Sequence, residues 1–216
     1  MSSDAAVVVY VHGLWMSGGE SLFLKRRLTQ EFGYRVHAFR YSAALSTMPQ
    51  IIDDLHSLVR QLEPATLHFV GHSLGGLVIY RFFERFAQQP PGRVVFLGTP
   101  AVESRAAVQA SQIRLVANLL GQPVEQELLQ PQERQWTLQD RQLGVIAGRQ
   151  PLGIGQFLAQ FEEESDGTVA VSETRMPGAA AHLVLPVSHA GLLVSARVAR
   201  ETGAFLETGR FSADPA

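Results

Sequence analysis

Short apolar runs alternate with longer amphipathic segments along most of the chain. The short runs are rich in Val, Leu, Ile and Phe, as buried strands are, and they lie at residues 7–11, 34–39, 67–70, 94–97, 143–146 and 183–185. Between them, apolar residues recur at helical spacing, over residues 21–32, 49–62, 77–86 and 192–206. This order predicts an α/β fold with a mainly parallel sheet of about six strands and helices on both faces.

Two segments interrupt this alternation. Residues 101–140 are polar and rich in Gln, with a short helical core. Residues 149–164 place Ile154, Phe157 and Phe161 on one helical face. Surface helices that pack on the sheet explain each segment taken alone, and a small cap over the site is the alternative. We therefore expect residues 1–216 to form one domain with a minimal cap.

Composition and charge narrow the classes of function. A length of 216 residues suits one domain, and a net charge of −2 argues against a nucleic-acid-binding protein, which needs a basic face. The absence of cysteine excludes a disulfide scaffold, a thiolate zinc site and a cysteine nucleophile. No apolar stretch is long enough for a membrane span, and the first residues lack a basic signal-peptide start. The expected location is therefore cytoplasmic.

The clearest chemical motif follows the third predicted strand. Gly71-His-Ser-Leu-Gly75 matches G-x-S-x-G and lies between a strand and a helix, which is the context that the motif requires. A nucleophilic serine must sit on a sharp strand-to-helix turn, where side chains two positions before and after it would collide with backbone. We therefore predict Ser73 as a nucleophile. The alternative is a glycine-rich turn whose serine merely caps the helix.

Two backbone N–H groups are candidates for an oxyanion hole. One belongs to Leu74, the residue after the predicted nucleophile. The second would come from the loop after the first strand, where Gly13 lets the chain turn so that the N–H of Leu14 points inward. For the side chain of His12 we favour a plain strand-end hydrogen bond to backbone. Trp15 is either a wall of the acyl pocket or ordinary packing.

A serine nucleophile needs a histidine base and a carboxylate that orients it. His189 follows the last predicted strand at its carboxyl end, where parallel sheets place their sites, whereas His182 precedes that strand. Asp166 lies in a turn between Ser73 and His189. This gives the chain order Ser, acid, His that accompanies a G-x-S-x-G nucleophile. Asp140 precedes its nearby strand and is at the wrong end, and Glu164 belongs to a charge run that favours a solvated face. We predict His189 and Asp166.

Together these residues resemble the α/β-hydrolases of the lipase and esterase group, and the chain is similar to small bacterial triacylglycerol lipases and to inositol-deacylase-like hydrolases. The matching segments are Val11-His-Gly-Leu14, Gly71-His-Ser-Leu-Gly-Gly76, Leu97-Gly-Thr-Pro100, Asp166-Gly-Thr-Val169 and Ser188-His189. The resemblance implies a triad of Ser73, Asp166 and His189, oxyanion donors at Leu14 and Leu74, and no cofactor or metal. Many such lipases continue Gly-Thr-Pro with His, Gly and Ser, where this chain has Ala101-Val-Glu-Ser104.

The expected activity is hydrolysis of a carboxylic ester through an acyl-enzyme. An apolar entrance favours a small acyl ester or lipid over a charged sugar or phosphate, and its predicted residues are Leu14, Trp15, Leu74, Ile154, Phe157 and Phe161. An acyltransferase or thioesterase would use the same triad with another acceptor or leaving group. A non-catalytic binding protein on the same fold is the alternative from a different class.

Overall fold

A six-stranded sheet organises the part of the chain that the structure describes. The structure is a computed structural model, and it describes residues 5–14, 16–101, 127, 134–151 and 163–212. The strands are β1 (Val7–Val11), β2 (Arg35–Phe39), β3 (Leu67–His72), β4 (Val94–Leu97), β5 (Leu143–Gly148) and β6 (Ala181–Leu185). Their order is β2-β1-β3-β4-β5-β6, and every neighbouring pair is parallel. The predicted sheet of about six mainly parallel strands is confirmed.

Helices connect and flank these strands where the sequence predicts them. They are α1 (Leu22–Phe32), α2 (Met48–Leu62), α3 (Leu74–Arg85), α4 (Gly191–Val194) and α5 (Ala196–Thr208). Helix α2 begins with a capping box, in which Thr47 accepts from the backbone N–H of Gln50 and the Gln50 side chain bonds back. The single closing helix predicted over 192–206 is instead two helices. Ser195 is extended at the break, and its side chain caps α5 by accepting from the N–H of Val198.

The sheet carries one apolar layer on each face because successive strand residues point to opposite sides. In β1, Val7, Val9 and Val11 pack into a layer shared with α2 and α3. Val8 and Tyr10 pack into the other layer, shared with α1, α4 and α5. Burying each such side chain contributes about 1.5–3 kcal/mol. Helices on both faces are thereby confirmed.

All six strands point the same way, so their carboxyl ends share one edge of the sheet. The loop at Gly13 follows β1, Ser73 follows β3 and Gly98 follows β4. Asp166 follows β5 and His189 follows β6 along the chain. This edge is where open parallel sheets bind their ligands. The sequence order therefore brings every predicted catalytic residue to the same end of the sheet.

Two expectations remain predictions. The segments 101–140 and 149–164 lie largely outside the described residues, so the proposed cap is untested. Among the described helices, none combines the length and apolar character that crossing a lipid bilayer requires. The cytoplasmic location also stays a prediction from the sequence.

Candidate active site

The backbone of Ser73 is strained at the turn between β3 and α3. Its φ and ψ are 53° and −124°, a conformation rare for a residue with a side chain. A Cβ on Gly71 would lie 2.6 Å from the Cα of Gly76, and one on Gly75 would lie 2.1 Å from the carbonyl oxygen of Val11. Both contacts are with backbone that cannot move away. Glycine at both positions is therefore a steric requirement of this turn, as the motif predicts.

The hydrogen bonds that hold this turn are made by the main chain of Ser73 and not by its hydroxyl. The N–H of Ser73 donates to the carbonyl of Leu97 at 2.9 Å. The Ser73 carbonyl accepts from the Thr99 hydroxyl at 2.9 Å and from the Gly76 N–H at 3.0 Å. The hydroxyl of Ser73 makes no capping hydrogen bond to α3. The alternative of a serine that merely caps this helix is therefore wrong.

Asp166 and His189 form a buried acid–base pair. The Oδ2 atom of Asp166 accepts from His189 Nδ1 at 2.7 Å, and the carboxylate is almost fully buried. Its Oδ1 atom accepts from the N–H groups of Thr168 at 2.9 Å and Val169 at 2.7 Å. A proton on Nδ1 leaves Nε2 of His189 free to accept one. The His189 ring makes no hydrogen bond to Ser73 Oγ in this structure. Such catalytic hydrogen bonds often form or tighten only when substrate is bound.

Two glycines make room for this pair at the ends of β4 and β5. A Cβ on Gly98 would lie 3.0 Å from Asp166 Oδ2 and 3.1 Å from His189 Nδ1, and one on Gly148 would lie 2.7 Å from the Asp166 Cβ. Gly98 also has a φ of 57°, which favours glycine. The acid and base thus pack directly on the backbone of the sheet edge.

The competing candidates lie elsewhere. Glu164 forms an exposed ion pair with Arg149 at 3.2 Å, as expected of a solvated charge run. His182 lies near the start of β6, and its Nε2 atom is hydrogen-bonded to the Thr174 hydroxyl at 2.8 Å. Among the described residues, no three His, Asp or Glu side chains come together as possible metal ligands.

The loop after β1 is held in place by its own histidine. Nδ1 of His12 donates to the carbonyl of Gly13 at 2.8 Å, and Nε2 accepts from the N–H of Tyr41 at 3.3 Å. The rings of His12 and Tyr41 stack at 4.3 Å, and burial lowers the pKa of His12, so that this histidine is neutral. The predicted backbone-bonded role of His12 is confirmed. Because the Gly13 carbonyl shares a peptide plane with the N–H of Leu14, this bond fixes the direction of that N–H.

The same loop closely approaches the serine. A Cβ placed on Gly13 would lie 3.1 Å from the Cβ of Ser73, so the missing side chain permits the contact. Leu74 is the first residue of α3, and the N–H of a first helical residue has no acceptor within its helix. The N–H groups of Leu14 and Leu74 therefore remain the predicted oxyanion donors.

His72 lies beside the acid–base pair and is not among the residues predicted from the sequence. Its side chain is fully buried, and its Nε2–H donates to the backbone carbonyl of His189 at 3.1 Å. The two rings lie 4.6 Å apart between centroids. The Nδ1 atom of His72 is buried and has no hydrogen-bond partner in the part of the chain that the structure describes. Burial, and next the neighbouring His189, hold the pKa of His72 well below its usual value. A histidine at the second position of the motif, inside an otherwise apolar strand, is the signal that could have identified it.

An open cleft of about 410 Å³ lies beside this loop. It is lined by His12, Gly13, Met16, Ser17, Arg40, Tyr41, Ser42, Ala43 and Ala44. The side chain of Leu74 is fully buried in a cluster with Ala43 and Leu77, so it does not line the predicted entrance. The other predicted pocket residues, Trp15, Ile154 and Phe157, lie outside the described residues.

Comparison with solved structures shows the same fold in several hydrolases. A lipase from Bacillus licheniformis in its mature form matches with a TM-score of 0.71 at 18% identity, over 97% of this chain and 94% of the lipase. A carboxylesterase from Bacillus subtilis matches with a TM-score of 0.60 at 17% identity, over 96% and 85%. A thioesterase of prodiginine biosynthesis from Streptomyces coelicolor matches with 0.61 at 13% identity, over 94% and 87%. Similarity at this level of identity shows the fold alone.

The family model described as the alpha/beta hydrolase family matches residues 8–209, which is nearly the whole chain. No curated protein matches the chain. The matched range includes the loop after β1, the turn at Ser73 and the pair of Asp166 and His189. On this match and on its parallel sheet, the chain belongs to the alpha/beta hydrolase family.

Proposed function

We propose that this protein is a serine hydrolase that cleaves carboxylic esters through a covalent acyl-enzyme. One observation carries the proposal. A strained Ser73, whose hydroxyl does not cap the adjacent helix, shares the carboxyl edge of the sheet with a buried, hydrogen-bonded pair of Asp166 and His189. A nucleophile next to a base that is itself oriented by a carboxylate is the arrangement that acyl transfer requires.

In the proposed first half-reaction, Nε2 of His189 takes the hydroxyl proton as Ser73 Oγ attacks the carbonyl carbon. The N–H groups of Leu14 and Leu74 stabilise the oxyanion of the tetrahedral intermediate. His189 then protonates the leaving alcohol, and the acyl group remains on Ser73. The buried carboxylate of Asp166 stabilises the imidazolium that forms at each proton transfer.

In the second half-reaction, water replaces the alcohol. His189 removes a proton from this water, which attacks the acyl carbon, and the same proton returns to Ser73 as the acid leaves. The same two N–H groups hold the second oxyanion. No redox step and no external co-reactant besides water is needed for the atoms to balance.

The open cleft beside the oxyanion loop is the proposed place for part of the ester. Gly13 belongs both to its lining and to the immediate surroundings of Ser73. The volume of this cleft is in the range of pockets for small molecules. That size supports a small acyl ester or lipid as substrate. Trp15, Ile154 and Phe157 remain the proposed apolar wall for the acyl chain.

Chromogenic esters test this proposal directly. The native protein should release p-nitrophenol from p-nitrophenyl esters, and a series of acyl chain lengths should reveal the preferred one. Ser73→Ala should lose this activity, whereas Ser57→Ala, a substitution of an exposed serine on α2, should retain it. Native activity that survives in Ser73→Ala would contradict the proposed nucleophile.

Changing the substrate or the acceptor distinguishes an esterase from a thioesterase and an acyltransferase. Faster cleavage of a thioester than of the matched oxygen ester would identify a thioesterase. Transfer of the acyl group to an added alcohol in preference to water would identify an acyltransferase. A folded protein that binds esters without turning them over would be a binding protein on a hydrolase fold.

A further inference from the structure

We propose that His72 is a positioning residue, whose ring holds the main chain of His189 so that the base stays within reach of Ser73. The inference rests on the proposed function, because it assigns a role in the reaction proposed for that site. His72 immediately precedes Ser73 in the chain, and the only hydrogen bond of its side chain within the described residues reaches across to the base.

The need for such a contact follows from the sheet order. Ser73 leaves the end of β3 and His189 leaves the loop after β6, and β4 and β5 lie between these strands. The nucleophile and base are therefore carried by separate loops. The hydrogen bond from His72 Nε2 to the His189 carbonyl joins residues 117 positions apart. It links the strained turn at Ser73 directly to the loop that carries the base.

The main chain of His189 is held on both sides. Its N–H donates to the carbonyl of Asp166 at 2.9 Å, and its own carbonyl accepts from His72 at 3.1 Å. With both main-chain groups held, the position of the imidazole depends chiefly on its side-chain torsions, and the contact with Asp166 Oδ2 fixes those. Removing His72 would free one of the two main-chain anchors.

Packing alone does not explain a histidine at this position. The side chain is fully buried, and its Nδ1 atom has no hydrogen-bond partner among the described residues. A buried polar atom without a hydrogen bond is destabilising, and a phenylalanine would bury no such atom. What the phenylalanine would lack is the Nε2–H donor. The one hydrogen bond that the His72 side chain makes within the described residues is to the proposed base.

The charge state of His72 suits this role. Burial, and next the neighbouring His189, keep the pKa of His72 far below its usual value, so the ring is neutral. When His189 becomes an imidazolium, it therefore meets no like charge from a ring only 4.6 Å away. The neutral tautomer with its proton on Nε2 is also the one that a carbonyl partner requires.

Two substitutions separate the hydrogen bond from the volume of the side chain. His72→Phe keeps the ring and removes the donor, whereas His72→Gln places an amide N–H near the position of Nε2. We expect His72→Phe to lower kcat roughly 10- to 100-fold, the range for a small misplacement of a catalytic group, with KM nearly unchanged. His72→Gln should recover most of the loss.

The control is His68→Phe, because His68 is another buried histidine of β3 whose contact is with the Arg93 N–H, away from Ser73. This variant should lose stability and keep its kcat. Equal kcat values for native and His72→Phe, or equally slow His72→Gln and His72→Phe, would overturn the inference.

A second readout does not depend on turnover. The proton between His189 Nδ1 and Asp166 should give a downfield NMR signal, assigned by its loss in His189→Ala. We expect this signal to broaden or disappear in His72→Phe and to persist in His72→Gln and His68→Phe. An unchanged signal in His72→Phe would overturn the inference even if the protein proves to be no esterase, whereas an inactive native protein with the expected signals would count against the proposed function alone.

Discussion

Asp166 holds His189 through both its side chain and its main chain. The carboxylate accepts from His189 Nδ1 at 2.7 Å, and the backbone carbonyl of the same aspartate accepts from the N–H of His189 at 2.9 Å. The loops that follow β5 and β6 are thereby joined at the residues that the proposed reaction uses. Since the second Asp166 oxygen is held by two further backbone N–H groups, the acid has little freedom to turn away.

Replacing the acid should separate orientation from folding. In the native protein both carboxylate oxygens of Asp166 accept hydrogen bonds, one from His189 and the other from backbone N–H groups. In Asp166→Asn one oxygen becomes an NH₂ group, which cannot accept, so one of these hydrogen bonds is lost. We expect kcat to fall by about 10³–10⁴, as when a triad histidine is held in the wrong tautomer. Steady-state ester hydrolysis measures this loss. Glu164→Gln is the control, and a comparable loss in that variant would mean that the acid is wrongly assigned.

The turn at Ser73 should tolerate no side chain at Gly75. In Gly75→Ala the new methyl group would meet the carbonyl oxygens of Val11 at 2.1 Å and His12 at 2.6 Å. We expect a loss of at least about 1–3 kcal/mol in the free energy of unfolding, together with loss of activity. Gly19→Ala is the matched control, because its Cβ meets only the Ser17 hydroxyl at 3.6 Å. Urea unfolding of both variants would settle this, and a fully stable Gly75→Ala would refute the steric argument.

The hold of His12 on the oxyanion loop is testable by a pair of substitutions. In His12→Phe, the Gly13 carbonyl loses its donor, so the peptide that carries the N–H of Leu14 is free to turn. Loss of a well-placed oxyanion donor costs up to about 10²–10³ in kcat, and we expect a fraction of this. His12→Asn, whose amide can occupy the Nδ1 position, should be faster than His12→Phe. The reverse order in kcat would argue against Leu14 as a donor.

The buried His68 should make stability depend on pH. Burial, and next the charges of Arg93 and Arg141, lower the pKa of His68 to about 4, while the unfolded chain has the ordinary value of 6.5. Above pH 6.5 both states are neutral and nothing is lost. Between 6.5 and about 4 only the unfolded chain takes up the proton, so stability falls as the pH falls.

The size of this effect follows from the difference in pKa. Between about pH 7.5 and about pH 4.5, His68 should account for a loss of roughly 2–3 kcal/mol. Other buried histidines act in the same direction, so the test is a difference between variants. His68→Asn, whose side-chain oxygen can still accept from the Arg93 N–H, should show a smaller pH dependence in urea unfolding. Identical pH profiles for the two proteins would contradict the prediction.

The strands of the sheet could be predicted because each one produces a recognisable run of apolar residues in the sequence. Runs such as Val7–Val11 are buried on both faces, so they are apolar throughout and easily recognised. The turn at Ser73 was also predictable, because the glycine positions are required by local sterics that the motif expresses. Only the strand ends shifted, and β3 extends to His72 because Gly71 and His72 still pair with β4.

The contacts between distant loops could not be predicted in this way. Nothing in the sequence near His189 indicates that its carbonyl accepts from His72, since this contact depends on how two loops meet in space. Likewise, the break at Ser195 was missed because apolar periodicity continues across it, while the serine cap starts a new helix. The approach of Gly98 to the acid–base pair depends on the order of the strands, which local patterns do not contain.

The most direct test of the account is whether Ser73 is an activated nucleophile. The native protein would be treated with a fluorophosphonate, which bonds to activated serines, and the labelled peptide would be mapped by mass spectrometry. We expect labelling on Ser73, none in Ser73→Ala, and a large loss in His189→Ala, with native labelling in the Ser57→Ala control. A folded native protein that is not labelled, or is labelled equally in His189→Ala, would contradict the claim that His189 activates Ser73.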